Sequence, residues 1–190
     1  MTNHSDTGAT YTLRSTVVLV GMMGSGKTAI GRALADALSV PFLDSDAALE
    51  EAADMTISEI FERDGEPFFR AREGEVIKRL MTGPPAILST GGGAFMNADT
   101  RDVIHHNGTS LWLNADLETL WERVRHKDTR PLLRTADPYA TLTELFITRA
   151  PVYAKATIHA NISPDASIDE TTQMVISALA AHPDLLEPAL

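Results

Sequence analysis

The segment from Gly21 to Thr28 carries the clearest chemical signal in the sequence. It matches the pattern G-x-x-x-x-G-K-[ST], which binds phosphate where it follows a strand and opens a helix. The apolar stretch from Thr16 to Val20 precedes it, and a helical pattern from Gly26 to Leu38 follows. Backbone N–H groups of such a loop turn toward phosphate oxygens, and the helix N-terminus adds its positive dipole end. Strand and helix context therefore favour a nucleotide site over an ordinary glycine-rich turn. Its expected residues are Gly24, Ser25, Gly26, Lys27, Thr28 and Ala29.

Two side chains of this motif have distinct expected roles. Lys27 reaches the β- and γ-phosphates, and the Thr28 hydroxyl coordinates Mg²⁺. A GTPase should also carry Asn/Thr-Lys-x-Asp, which the sequence lacks. Motor and transporter ATPases usually place an acid after a long apolar strand, whereas here the acids follow the short pair Phe42-Leu43. These features favour a kinase that acts on a small molecule.

Two carboxylates and a run of glycines follow predicted strands directly. Asp44 and Asp46 point to the same side of an extended chain, at the strand end where open parallel sheets bind ligands. One could help to hold Mg²⁺ while the other hydrogen-bonds an acceptor hydroxyl. The alternative is that Ser45 or Asp46 caps the next helix. Gly91-Gly92-Gly93 could let a ligand approach bare backbone, or could form a simple tight turn.

The charge balance argues against a nucleic-acid or membrane partner. The chain has 16 Lys and Arg against 26 Asp and Glu, a formal net charge of −10, which repels polyanions. A local basic cluster nonetheless suggests a small anionic ligand, with a solvated basic helix end as the alternative. Its members are Arg123, Arg125, Lys127, Arg130 and Arg134. The sequence has no cysteine, signal-peptide pattern or membrane-length apolar run, so we expect a cytoplasmic protein without disulfides.

The order of apolar runs predicts stacked βα units around a mostly parallel sheet. The predicted strands are Thr16 to Val20, Pro41 to Asp44, Ala86 to Ser89, Ser110 to Asn114 and Ala156 to Ile162. Beyond the first helix, predicted helices begin at a Thr56/Glu59 capping box, run from Glu66 to Met81, follow Asp116 and fill Thr141 to Arg149. Weak periodicity from Lys127 to Pro138 predicts a mobile loop, and the two chain ends are predicted to be tails.

In combination and in order, these motifs resemble the shikimate kinase family from about Thr16 to Ile176. The matching segments are GMMGSGKT (21–28), FLDSD (42–46), DGEPFFRAREGE (64–75), STGGGA (89–94), RPLL (130–133) and RAPVY (149–153). The resemblance implies a three-layer α/β fold of the P-loop kinase type, with a five-stranded parallel sheet of order 2-3-1-4-5 flanked by helices. A single domain would span residues 15–181, with a lid at about 125–138 and tails at 1–14 and 182–190.

The resemblance also implies a reaction, in which ATP phosphorylates the 3-hydroxyl of shikimate on the route to aromatic amino acids. By motif position, shikimate is held by Asp46, Arg70, Arg149 and the backbone of Gly91, Gly92 and Gly93. Asp44 acts on the Mg²⁺ side through water, Arg130 is the lid arginine near the transferring phosphate, and Arg123 stacks on adenine. The implied catalytic residues are Lys27, Asp46 and Arg130, and the implied oligomeric state is a monomer.

Elementary chemistry agrees with these assignments and leaves alternatives open. Arginine forks bind carboxylates through two parallel hydrogen bonds, which suits Arg70 and Arg149 to a carboxylic acid. For Arg70, an ion pair with Glu66, Glu73 or Glu75 is the alternative. A gluconate-type kinase shares the phosphate loop but leaves GGG and RPLL unexplained. A nucleotide-binding regulatory module without transfer activity would be expected to have lost some of these residues, and all are present.

Overall fold

Five parallel strands form the central sheet of the protein. The computed structural model describes residues 11–126 and 131–189. In chain order its strands are β1 (Tyr11–Leu13), β2 (Thr16–Val20), β3 (Phe42–Asp44), β4 (Ile87–Ser89), β5 (Gly108–Asn114), β6 (Ile158–Asn161) and β7 (Leu186–Pro188). The sheet has the order β3-β4-β2-β5-β6. Numbered by the five predicted strands this is 2-3-1-4-5, so the predicted order is confirmed.

Helices cover both faces of this sheet. They are α1 (Lys27–Leu38), α2 (Ser45–Ala53), α3 (Ile57–Leu80), α4 (Ala98–Asn107), α5 (Leu117–Val124), α6 (Pro138–Tyr153) and α7 (Ile168–Ala180). Every residue of β2 is buried, as expected of a central strand covered on both sides. No helix within residues 11–126 and 131–189 is long and apolar enough to cross a membrane.

Local sequence signals explain where several helices begin and bend. The Thr56 hydroxyl accepts from the Glu59 N–H, and the Glu59 carboxylate accepts from the Thr56 N–H, so the predicted capping box is present. Gly65 has φ 80° and ψ 170°, which interrupts α3 where one helix was expected to end and another to begin. Asp44, rather than Ser45 or Asp46, is the N-cap of α2. The extended conformation of Asp44 lets its side chain turn back onto the first amides of the helix.

The chain ends depart from the predicted tails. β1 and β7 pair antiparallel, and Arg14 forms an ion pair with Glu187. Leu13 and Leu186 are 5% and 1% exposed and belong to the main core. The prediction of tails at 1–14 and 182–190 is therefore wrong for these strands, because alternate apolar side chains there are buried against the domain. Residues 1–10 and 190 lie outside the described residues.

The expected lid at 125–138 is described only in part. Residues 131–133 form a short 3₁₀ helix, in which Leu133 is buried. Residues 127–130 lie outside the described part of the chain, so the predictions for Arg130 and Lys127 fall there.

Candidate active site

A cleft of about 490 Å³ opens at the carboxyl ends of the strands. Parallel register places these ends together, because Ser89 of β4 lies opposite both Asp44 of β3 and Leu19 of β2. The cleft brings together most of the residues predicted to bind nucleotide with both predicted carboxylates. Predicted residues that line it are Gly24, Ser25, Gly26, Lys27, Thr28, Ala29, Asp44, Asp46, Gly91, Gly92 and Arg123.

The loop between β2 and α1 has the geometry of a phosphate cradle. Gly24 and Gly26 have φ values of 81° and 96°, in the left-handed region that favours glycine. Gly26 caps α1 without any side-chain hydrogen bond to its first amides, so no capping side chain competes with an anion for these donors. The Lys27 ammonium donates to the carbonyls of Gly21 and Met22 at 2.8 and 2.9 Å. It is thus held over the loop, where it can exchange these carbonyls for phosphate oxygens.

Asp44 and Asp46 both line this cleft, and their carboxylates have different surroundings. Oδ1 of Asp44 accepts from the N–H groups of Asp46 and Ala47 at 3.0 and 3.2 Å, which fixes the start of α2. Burial raises the pKa of Asp46 to about 6, and the neighbouring charge of Asp44 adds to this rise, while Lys27 opposes it. A carboxylate with a pKa near 6 is a suitable partner for a hydroxyl proton at neutral pH.

Each glycine of the triplet faces a different functional side chain. A Cβ at Gly91 would lie 2.7 Å from Oδ1 of Asp46, and a Cβ at Gly93 would lie 2.7 Å from Nη1 of Arg70. At Gly92 the same atom would lie 3.6 Å from Nη1 of Arg149. The triplet therefore makes room for the two arginines and the carboxylate that the sequence predicted to bind substrate. A tight turn alone does not account for this arrangement.

Arg70 is placed at this site by an acidic residue that sequence reasoning treated only as an alternative partner. Its guanidinium bonds Glu73 at 2.7 Å and Glu66 at 3.3 Å, whereas Glu75 pairs with Arg72. The Glu73 side chain is 2% exposed, and its Oε1 has no hydrogen-bond partner among the described residues. Burial raises the pKa of Glu73, and Arg70 opposes the rise. The ion pair therefore orients Arg70 beside Gly93 rather than removing it from the site.

The nucleotide side of the cleft includes one predicted residue and one unpredicted helix end. Nη1 of Arg123 approaches the Gly24 carbonyl at 3.4 Å. Ser167, Ile168 and Thr171, at the start of α7, line the same cleft. A capping box of Ser167 and Glu170 begins this helix, and that pattern was available in the sequence. Elsewhere in the basic cluster, Arg125 pairs with Glu122 at 2.9 Å.

The protein side chains around the cradle suit a cation that is bound chiefly through phosphate and water. Within the described residues there is no group of three or more His, Cys, Asp or Glu able to hold a metal. Thr28 and Asp44 nevertheless line the cleft together. Mg²⁺ commonly takes one or two protein ligands and completes its shell with nucleotide oxygens and water. The donor set therefore fits Mg²⁺ accompanied by a nucleotide.

A phosphate loop at the head of the first helix of a 2-3-1-4-5 parallel sheet, facing a carboxylate and two arginines, defines a P-loop kinase of a small anionic acceptor. The family model for shikimate kinase matches residues 23–180. Shikimate kinase of Ruegeria pomeroyi is 58% identical over 180 residues, covering 95% of this chain and 92% of that protein. Shikimate kinase of Rhizobium meliloti is 46% identical, covering 87% and 86%. The chain belongs to the shikimate kinase family.

Solved structures agree with this assignment. A shikimate kinase from Acinetobacter baumannii in complex with shikimate superposes with a TM-score of 0.80 at 34% identity, covering 88% of this chain and 94% of that one. A gluconokinase from Sinorhizobium meliloti reaches a TM-score of 0.58 at 20% identity, covering 90% and 94%. The second likeness shows a shared fold alone.

Proposed function

We propose that the protein transfers the γ-phosphoryl group of ATP to the 3-hydroxyl of shikimate. The observation that carries this proposal is the meeting, in one cleft, of the phosphate cradle, the Asp46 carboxylate and Gly91 and Gly92 of the glycine triplet. The triplet also adjoins Arg149 at Gly92 and Arg70 at Gly93, two residues that do not themselves line the cleft. Shikimate has one carboxylate and three hydroxyls. Two arginines can therefore fix its acidic end while a carboxylate selects a hydroxyl at the other end.

Arg70 and Arg149 bind the carboxylate of shikimate in this proposal. A guanidinium can make two parallel hydrogen bonds to a carboxylate, which fixes both its position and its orientation. The Glu73 ion pair holds Arg70 in a defined rotamer, so less side-chain freedom is lost when the substrate binds. The backbone of Gly91, Gly92 and Gly93 forms the wall against which the ring of shikimate lies.

Asp46 orients the acceptor hydroxyl and takes its proton. Phosphoryl transfer passes through a loose transition state, so little proton removal is needed early and positioning carries much of the rate. With a pKa of about 6, Asp46 is mostly ionised at pH 7.5 and can still accept a proton as the new bond forms.

The charge that develops on the phosphate is neutralised by cations around it. Lys27 lies on the phosphate loop, and Arg130, in the segment outside the described residues, is assigned to the transferring phosphate. We assign Thr28 to Mg²⁺ directly and Asp44 to Mg²⁺ through water. When bound there, the ion would neutralise negative charge on the phosphates of the nucleotide. By its position in the family motif, Arg123 is assigned to the adenine ring, and it lines the cleft beside Gly24.

The carboxylate assignment is tested by comparing shikimate with its uncharged methyl ester. Loss of a buried charged contact costs about 3 kcal/mol, or roughly a hundredfold in binding. We therefore expect Arg149→Ala to raise the KM for shikimate about a hundredfold and to leave the weak turnover of the ester almost unchanged. Arg125→Ala, which removes a surface arginine paired with Glu122, is the matched control. A variant Arg149→Ala that prefers shikimate to the ester as strongly as wild type does would contradict the assignment.

We also propose that the protein is cytoplasmic and that it is a monomer. Sedimentation of the purified protein across a range of concentrations tests whether it is a monomer. A mass of 20.6 kDa at every concentration is expected, and twice that mass would contradict it.

A further inference from the structure

Tyr153 is a buried tyrosine whose hydroxyl reaches the backbone of Gly92, a residue that lines the cleft. It is the last residue of α6 and is 1% exposed. Its ring packs nearly parallel to Phe95, at 6.5 Å between centroids, and to Trp112, at 6.2 Å. Ring contacts of this kind favour an offset stack over free rotation. The phenol oxygen is therefore held at a fixed point on the protein.

That fixed point is the carbonyl of Gly92, to which the Tyr153 hydroxyl donates a hydrogen bond. The pair is separated by 61 residues in sequence, so the bond ties the end of α6 to the glycine triplet after β4. A buried carbonyl without a donor costs free energy. The buried hydroxyl of Tyr153 supplies that donor to the Gly92 carbonyl.

Arg149 lies next to both partners of this bond. It precedes Tyr153 by four residues, so both side chains leave the same face of α6. Its Nη1 is 3.6 Å from the point where a Cβ of Gly92 would lie. Burial raises the pKa of Tyr153 to about 12, while the charge of Arg149 and a hydrogen bond from it act in the opposite direction. The guanidinium is therefore within reach of the tyrosine oxygen and of the Gly92 backbone.

We infer that Tyr153 is a positioning residue for shikimate binding, which occupies the Gly92 carbonyl so that Arg149 remains directed at the substrate carboxylate. Without the phenol, the guanidinium of Arg149, which lies beside Gly92, is free to donate to that carbonyl. An arginine that turns onto the Gly92 carbonyl no longer presents its fork to the substrate. The inference rests on the proposed role of Arg149 and assigns the orientation of that side chain to a particular neighbour.

Tyr153→Phe removes the hydroxyl and keeps the ring that packs on Phe95 and Trp112, so we expect the variant to fold. The expected result is a KM for shikimate about tenfold higher, the usual effect of one buried hydrogen bond. The KM for ATP and kcat should stay within about twofold of wild type, because the lost bond is to Gly92 and Lys27 keeps its own hydrogen bonds on the phosphate loop. Tyr11→Phe, on the edge strand β1, is the control tyrosine and should change none of these constants.

If Tyr153 only stabilised the fold, its loss would not raise the KM for shikimate while leaving the KM for ATP unchanged. In an Arg149→Ala background, Tyr153→Phe should change the KM for shikimate by less than about twofold, because the side chain that it positions is gone. Calorimetric titration of shikimate into each protein gives the same comparison without turnover. Equal rises in the KM of ATP and shikimate, additive effects in the double variant, or an unchanged KM would each overturn the inference while wild type remains active on shikimate. Wild type without shikimate-dependent turnover would instead overturn the proposed function.

Discussion

Replacing Asp46 by asparagine should stabilise the protein while it removes catalysis. The Asp46 carboxylate is partly desolvated and lies near Asp44 and Glu50. Burial is the main reason why its pKa rises from 3.8 to about 6, and the charges of these two neighbours add to the rise. The raised pKa means that the folded state disfavours the ionised form relative to the unfolded chain. Asparagine keeps the size of the side chain and removes the charge that the fold opposes.

The magnitude follows from linkage between protonation and folding. Well below pH 3.8 the Asp46 carboxyl is protonated in both the folded and the unfolded state, so it does not change the free energy of unfolding. As pH rises from 3.8 to about 6, the unfolded chain ionises first, so stability falls with pH. At about 1.4 kcal/mol per pH unit, ionisation of Asp46 lowers the free energy of unfolding by at most about 3 kcal/mol at pH 7.5. At pH 4.5 the same calculation leaves about 1 kcal/mol.

Urea unfolding of wild type and Asp46→Asn at pH 4.5 and 7.5 measures this difference. We expect the variant to gain stability at both pH values and to gain more at pH 7.5, with turnover on shikimate reduced by about a hundredfold or more. Asp44→Ala is the contrasting variant, because Asp44 caps α2 and its loss should cost about 1 kcal/mol. An Asp46→Asn protein that is less stable than wild type, or whose gain is independent of pH, would refute the electrostatic argument.

Three further predictions concern pH, the glycine triplet and the chain ends. The kcat/KM for shikimate should fall about tenfold per pH unit below pH 6, as Asp46 becomes protonated, and a flat profile there would count against its role. Gly93→Ala should raise the KM for shikimate more than Gly92→Ala does, since only the first displaces Arg70; the reverse order in steady-state kinetics would be inconsistent. Leu186→Ala should lower the free energy of unfolding by about 3 kcal/mol with unchanged KM values, and urea unfolding with no loss would mean that β7 does not stabilise the domain.

The phosphate loop and the sheet could be predicted from sequence because their signals are local. Glycine spacing, an apolar strand and a helical pattern adjoin one another from Thr16 to Leu38, and the resemblance supplied the strand order. The capping box at Thr56 is local in the same sense. The start of α7 was equally available through Ser167 and Glu170, but its place beside the nucleotide depends on how α7 packs against α1.

Contacts between distant parts of the chain could not be predicted in this way. Nothing near Glu73 in sequence indicates that its second oxygen would be buried without a partner, and nothing near Tyr153 indicates that it meets Gly92. The tails were misjudged for the same reason, because a short strand such as β1 is stabilised by the partner that it finds at β7. Such features depend on tertiary packing, which overrides weak local preference.

Phosphorylation of shikimate in this cleft is the activity to be tested first. The most direct measurement is ADP release with ATP and Mg²⁺, compared for shikimate, gluconate, AMP and no acceptor. Turnover that depends on shikimate alone is the predicted result. Turnover with gluconate or AMP in its place would contradict the assigned acceptor, and bound ATP without turnover on any acceptor would indicate a nucleotide-binding module instead of a kinase.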